Sequence, residues 1–243
     1  MGEGIGGGGG GSIPNEFLVM GYIAMSLGPE NANKLFNKFV GSLDFSSVPA
    51  GIIRYQDSSY RATARPEIVL DYHVDSKGTI VRQTMWQPLQ NGDVIRHFRD
   101  ATIRVPVFFI GTDNVIGVDM SHATRSGGAL NIFHPNVPAP LGGVAATNFC
   151  IKWPGYTQEY KKKVELRVAD RTAITMSKLV ERVARFVEHF LEEAASWQID
   201  PGCQYWRVGP GAITKDKLYI VGLVHVSAGT WQPILQLKHL NFH

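Results

Sequence analysis

Charge is scarce in this chain of 243 residues. Asp, Glu, Lys and Arg make up 19% of it, against about 25% in an ordinary globular domain. Twenty-four Lys+Arg against twenty-one Asp+Glu leave a net charge of +3, too small a surplus to mark a nucleic-acid binder by itself. Cysteine is scarcer still. Cys150 and Cys203 are the two, and neither belongs to a CxxC pair, which excludes a disulfide-dense scaffold and a structural zinc site. Two reduced thiols are expected. No Asn-x-Ser/Thr acceptor occurs, in keeping with a chain kept out of the secretory pathway. The apolar run at 17–27 falls well short of the ~20 residues a membrane helix needs. No Lys or Arg precedes it, as a signal peptide would require. The expected location is the cytoplasm, with no membrane partner.

Catalytic signatures are missing as well. No Gly-x-Ser-x-Gly elbow, no HExxH helix and no HxE with PCxxC occurs. Gly209-Pro210-Gly211-Ala212-Ile213-Thr214-Lys215 holds the residues of a phosphate loop in the wrong order. Its proline stands where backbone N–H groups are needed, so it reads as a turn. A formal GxGxxG at Gly4, Gly6 and Gly9 has no strand before it and is no dinucleotide site. Neither cofactor nor metal is expected.

Glycine is plentiful, at 26, but eight of these fall within the first eleven residues. Residues 1–12 are therefore expected as a flexible arm. Residues 13–243 read as one α+β domain, with a subdivision left open near 147. Phe17, Met20, Ala24 and Leu27 recur at helical spacing. Gly28-Pro29 breaks that run, and Leu35, Phe36, Phe39 and Val40 predict a second helix closed by Gly41.

Short β-rich runs follow at 68–74, 79–86, 101–110, 115–119 and 148–153. Asp75-Ser76-Lys77-Gly78 predicts a hairpin between the first two, Gly111-Thr112-Asp113-Asn114 another turn, and Pro106 an edge or bulge. The Gly/Pro-rich stretch 125–146 is long enough to be a functional loop or binding arm. Residues 161–168 alternate as a half-buried strand, and Lys161-Lys162-Lys163 reads as its solvated entry. Thr175 or Ser177 then caps an amphipathic helix to about 196, with Leu179, Val183, Phe186, Phe190 and Ala194 in one row. Strands at 218–227 and 231–237 follow. The expected fold is α+β: mostly antiparallel sheet, an N-terminal helical pair and one long amphipathic helix near 176–196.

Chemistry-bearing residues cluster once, at Asp119, Ser121 and His122, with Arg125, Ser126 and His134 after them. An acid, a hydroxyl and a base at the end of an apolar strand are the ingredients of a hydrolase. The same residues equally make a turn cap. Arg54 to Arg65 (with Tyr55 and Tyr60) and Arg96 to Arg104 (with His97 and Phe98) interleave basic and aromatic groups, as a single-strand binder would. Asp57, Asp93 and Asp100 dilute both. Trp153, Tyr156, Trp206 and Trp231 stand at strand ends beside turns, either as core and rim packing or as anchors of a protein interface. Trp86-Gln87-Pro88-Leu89 echoes Trp231-Gln232-Pro233-Ile234, but the flanking residues do not match.

Three features from residue 151 onward resemble a pattern in an uncharacterised protein family of mushroom-forming fungi. They are Ile151-Lys152-Trp153-Pro154-Gly155-Tyr156, Ile174-Thr175 before a helix with Lys178-Leu179 and Val183-Ala184, and Trp206-Arg207-Val208-Gly209. Leu218 to Leu223, then His225-Val226-Ser227 through Gly229 to Trp231-Gln232-Pro233, complete it. The resemblance implies a fungal cytosolic protein and supplies no catalytic residue. The favoured expectation is a non-enzymatic structural or interaction protein that forms a homo-oligomer or binds protein partners. A small-molecule hydrolase or ligand-binding domain at Asp119, Ser121 and His122 is the alternative, and a nucleic-acid-associated protein is the third.

Overall fold

The computed structural model describes residues 16–41, 51–63, 65–125, 130–168 and 171–239. The glycine-rich arm at 1–12 and Ser126 lie outside them. Three helices open the described chain: α1 (Phe17–Met20), α2 (Tyr22–Leu27) and α3 (Pro29–Gly41). The helical period expected across 17–27 is interrupted at Gly21, which is extended. The cause is tertiary. Asp71 accepts hydrogen bonds from the backbone N–H of Ile23 (3.1 Å) and Tyr72 (2.8 Å), capping α2 from a distant strand. A Cβ at position 21 would sit 2.3 Å from the Asp71 Oδ2. The phase resets there, so Tyr22 and Ile23 are buried and Met20 is exposed.

Strands β1 (Ile52–Arg54), β2 (Ser59–Ala62) and β3 (Val69–Tyr72) form a small antiparallel sheet in that order. β4 (Gly78–Ile80) does not fold back on β3 as a hairpin. It crosses to the large sheet instead. Asp75 steers the turn, because its Oδ1 accepts both from Lys77 N–H and from Gln236 Nε2 of that sheet, at 3.1 Å. A short α4 (Asn91–Val94) runs into a π-helical turn at Ile95–Arg99. β5 (Val107–Phe108), β6 (Val118–Asp119) and α5 (Met120–Ala123) follow. Of the run 101–110 only two residues are strand, since Pro106 has no N–H to give a ladder. The Arg104 N–H goes instead to a side chain, His225 Nδ1, at 2.9 Å.

β7 (Ala146–Ile151), β8 (Tyr160–Glu165), α6 (Met176–Ala194), β9 (Leu218–Ser227) and β10 (Thr230–Lys238) complete the elements, with 3₁₀ turns at Pro201–Trp206 and Lys215–Lys217. The large sheet has the order β5-β9-β10-β7-β8. β6 also pairs with β9, and β4 with β10. Only the β7–β10 pairing is parallel. β9 and β10 read as continuous apolar runs because both of their faces are covered. Leu218, Ile220, Leu223, Trp231, Leu235 and Leu237 pack with α6, whereas Val221, Val224, Val226 and Ile234 pack with α2 and α3. A bulge at Val221, between the partners of Ile234 and Leu235, shifts the phase of β9 by one residue.

Pro233 sits within β10, where a proline is unusual. Side chains complete the bonding around it. Gln83 Nε2 donates to the Pro233 carbonyl at 2.7 Å, and Gln232 accepts from Trp86 N–H while donating to Thr84 O.

α6 is capped by Thr175, whose Oγ1 accepts from Lys178 N–H at 3.3 Å. Two further N–H groups at its start, of Met176 and Ser177, donate to Val137 O and Pro135 O, both at 2.9 Å. Residues 130–146 of the Gly/Pro-rich stretch thus cap α6, with Ile132 and Leu141 buried beneath them. Each large apolar side chain that α6 buries contributes about 2 kcal/mol. The fold is α+β and mostly antiparallel, with the expected helices at the N-terminal end and at α6.

Candidate functional site

The acid, hydroxyl and base expected to act together are adjacent but not connected in that way. Asp119 is the N-cap of α5. Its Oδ1 accepts from the Ser121 N–H (2.9 Å) and from the Ser121 hydroxyl (2.7 Å). Its Oδ2 holds the Lys238 ammonium at 2.6 Å. Burial raises the Asp119 carboxyl, but Lys238 and Ser121 outweigh it and hold the group below its ordinary value. A hydroxyl that already donates to a carboxylate is not primed by an imidazole. The exposed His122 ring hydrogen-bonds to neither partner, and His134 is exposed on a separate loop.

The four aromatic candidates divide. Trp153 and Trp231 are 2% and 1% exposed and belong to the core, so they are not surface anchors of this chain. Trp153 Nε1 donates to the Trp206 carbonyl at 2.7 Å, and its ring lies 5.4 Å from that of Phe190. Tyr156 and Trp206 are half-buried against the same core. The Tyr156 hydroxyl accepts from Val208 N–H at 3.2 Å. Together these rings fasten the 3₁₀ turn at Pro201–Trp206 onto α6. Trp231 stacks on His225 at 4.4 Å.

All the arginines named in these stretches except Arg104 are paired locally. Arg54 meets Glu16, Arg61 meets Asp57, Arg65 meets Glu67, Arg96 meets Asp93 and Arg99 meets Asp100. Both cysteines are free thiols, and burial pushes Cys150 up to about 12. Among the described residues no group of three or more His, Cys, Asp or Glu is placed to hold a metal, and no helix is long and apolar enough to cross a membrane.

An exposed aromatic site lies elsewhere, at the Trp86-Gln87-Pro88-Leu89 knuckle before α4. Leu89 is fully exposed at its tip. Trp86 is half-buried and packs on the core beneath it. Its backbone is held by Gln232, its Nε1 donates to Glu159 Oε1 at 3.3 Å, and the Lys161 ammonium lies 3.7 Å from its ring centroid. A cation so close to the ring face fixes its orientation. The knuckle borders a cleft of about 670 Å³ whose ten lining residues include Asp93, Lys152 and Glu159. The tetrapeptide was visible in the sequence through its likeness to the one at 231–234. Pattern alone could not tell that one copy is core and the other surface. No family model, curated protein or solved structure matches the chain.

Proposed function

We propose that the protein works by binding another protein, and that the partner is a second copy docked at the Trp86–Leu89 knuckle. The observation that carries this is a rigidly held tryptophan beside a fully exposed leucine. Aromatic anchors braced by their own chain are what dominate interface energetics. Charge favours self-pairing. Lys152 and Lys161 stand beside Glu159 on one patch, with Asp93 held by Arg96, so a two-fold axis can set the lysines of one copy against Glu159 of the other. The expected dimer is concentration-dependent.

Light scattering after gel filtration across a concentration series tests this. The weight-average mass should climb towards twice the monomer, and Leu89→Asp should hold the chain monomeric with an unchanged melting temperature. A monomer at every concentration would refute the reading, as would an L89D chain that dimerises like the wild type.

A further inference from the structure

A second cleft, independent of the knuckle, lies where the end of β10 meets the turns at Pro201–Trp206 and Lys215–Lys217. Its volume is about 420 Å³, and Arg207, Lys217, Lys238 and His239 line it without a single carboxylate. Two acids adjoin the lining residues, and both carboxylates are bonded to other groups. Asp119 is held by Lys238 and Ser121, and Asp216 accepts from the Thr214 hydroxyl.

Counting donors shows what is left over. The Lys238 ammonium spends two of its three N–H groups, on Asp119 Oδ2 and Asp216 O, and is neutralised by the first. Lys217 spends one, on Ala212 O at 2.8 Å. Neither Lys217 nor the Arg207 guanidinium has an ion-pair partner among the described residues. Two uncompensated cations, one a planar fork and one a point charge, therefore share the cleft with most of their donors unused. A planar carboxylate satisfies one fork. A tetrahedral dianion with three terminal oxygens satisfies both groups at once.

The rest of the lining has a different character. Tyr205 is 70% exposed, yet its ring stands edge-on to Trp206 at 5.1 Å, and Trp206 packs on the core. It is a fixed aromatic plate at the rim. Ile213 and Leu237 give the cleft an apolar wall, and the volume falls within the ~300–1,000 Å³ of small-molecule sites. The turn Gly209-Pro210-Gly211 bends beside it with φ of +106° and +74° at its two glycines. It is not a phosphate loop, and the charge of the cleft comes from side chains.

We propose that this cleft binds a small organic phosphate carrying a planar ring, with the phosphate on Arg207 and Lys217 and the ring against Tyr205. Isothermal titration of the full chain with AMP, adenosine and inorganic phosphate tests it. AMP should bind at one site with a sub-millimolar Kd. Adenosine should give no measurable heat, and inorganic phosphate should bind at least tenfold more weakly than AMP. Arg207→Gln and Lys217→Gln should each weaken AMP tenfold or more. Tyr205→Ala should weaken AMP while leaving inorganic phosphate unchanged. All three changes lie on the surface of the cleft, and melting temperatures equal to wild type confirm the fold. The proposal is overturned if AMP gives no heat at millimolar concentration, if adenosine binds as well as AMP, or if the R207Q chain binds AMP as tightly as the wild type.

Discussion

Asp71 ties the start of α2 to the small sheet. It is wholly buried, and burial pushes its carboxyl well above the ordinary range against the pull of backbone N–H groups at Tyr72, Ile23 and Tyr22. Removing it orphans those donors where water does not reach. Asp71→Ala should lower the unfolding free energy by about 3 kcal/mol, and Asp71→Asn, which keeps one acceptor oxygen, by about half as much. Chemical denaturation checks this, and a loss below about 1 kcal/mol for the alanine variant would contradict the capping role.

His225 supplies the counterpart in pH. Burial, with Arg104 nearby, lowers it to about 4. The unfolded chain takes up that proton near pH 6.5 and the folded chain does not, so this contribution is complete above pH 6.5 and is lost as pH falls towards 4. The decline amounts to about 3 kcal/mol. Stability curves of His225→Gln should be flatter than wild type across that window, and parallel curves would show that the imidazole titrates alike in the folded and unfolded states. Neither residue was legible in the sequence. An Asp in an apolar strand and a His between valines carry no local sign of the backbone groups that will meet them. Asp119 and Ser121 were legible, but as two readings at once, and only geometry separates a cap from a catalytic pair.

Among the elements, what could be read in advance followed from local pattern. The stripe of α6, its Thr175 cap and the long strands β9 and β10 stand close to their expected bounds, because periodicity and capping are properties of neighbours in sequence. The hairpin at 75–78 failed because a good turn says nothing about which sheet receives the next strand. β8 shows a similar limit. Its lysines read as a solvated entry, but β8 ends the order of the large sheet, and no described strand pairs with its outer side. Lysines on an open edge discourage pairing with another chain. Lys162 and Lys163 are exposed there, beside Glu193 and Glu165. Lys162→Val combined with Lys163→Thr should leave the melting temperature nearly unchanged and raise aggregation on storage, as followed by light scattering. A doubly substituted chain that stays as clear as wild type would remove the guarding role.

At the scale of the whole molecule, the long central strands separate two cores, and this explains why the chain is so sparingly charged. Leu218 to Lys238 is apolar on both sides because α6 covers one face and α2 and α3 the other. Apart from Asp71, the acidic and basic side chains lie towards the outside of those layers, where many are paired, as at Glu181 with Lys178 and Arg185. Among the described residues, Arg207 and Lys217 are two of the charges left without an ion pair, and they share one cleft.

The placement of β9 and β10 at the centre also sets the order of events in time. β4, β5 and β6 find their partners only in β9 or β10, and β7 finds its inner partner in β10, yet all four are synthesised first. Gln83 waits 150 residues for the carbonyl of Pro233. On a ribosome the chain emerges N-terminus first. β4, β5 and β6 therefore leave the exit tunnel with nothing to pair with, and β7 with β8 alone. Closure of the sheet is a late, long-range step, of the kind that slows folding. For as long as translation of the last strands takes, the chain depends on whatever shields unpaired β-structure in its cell.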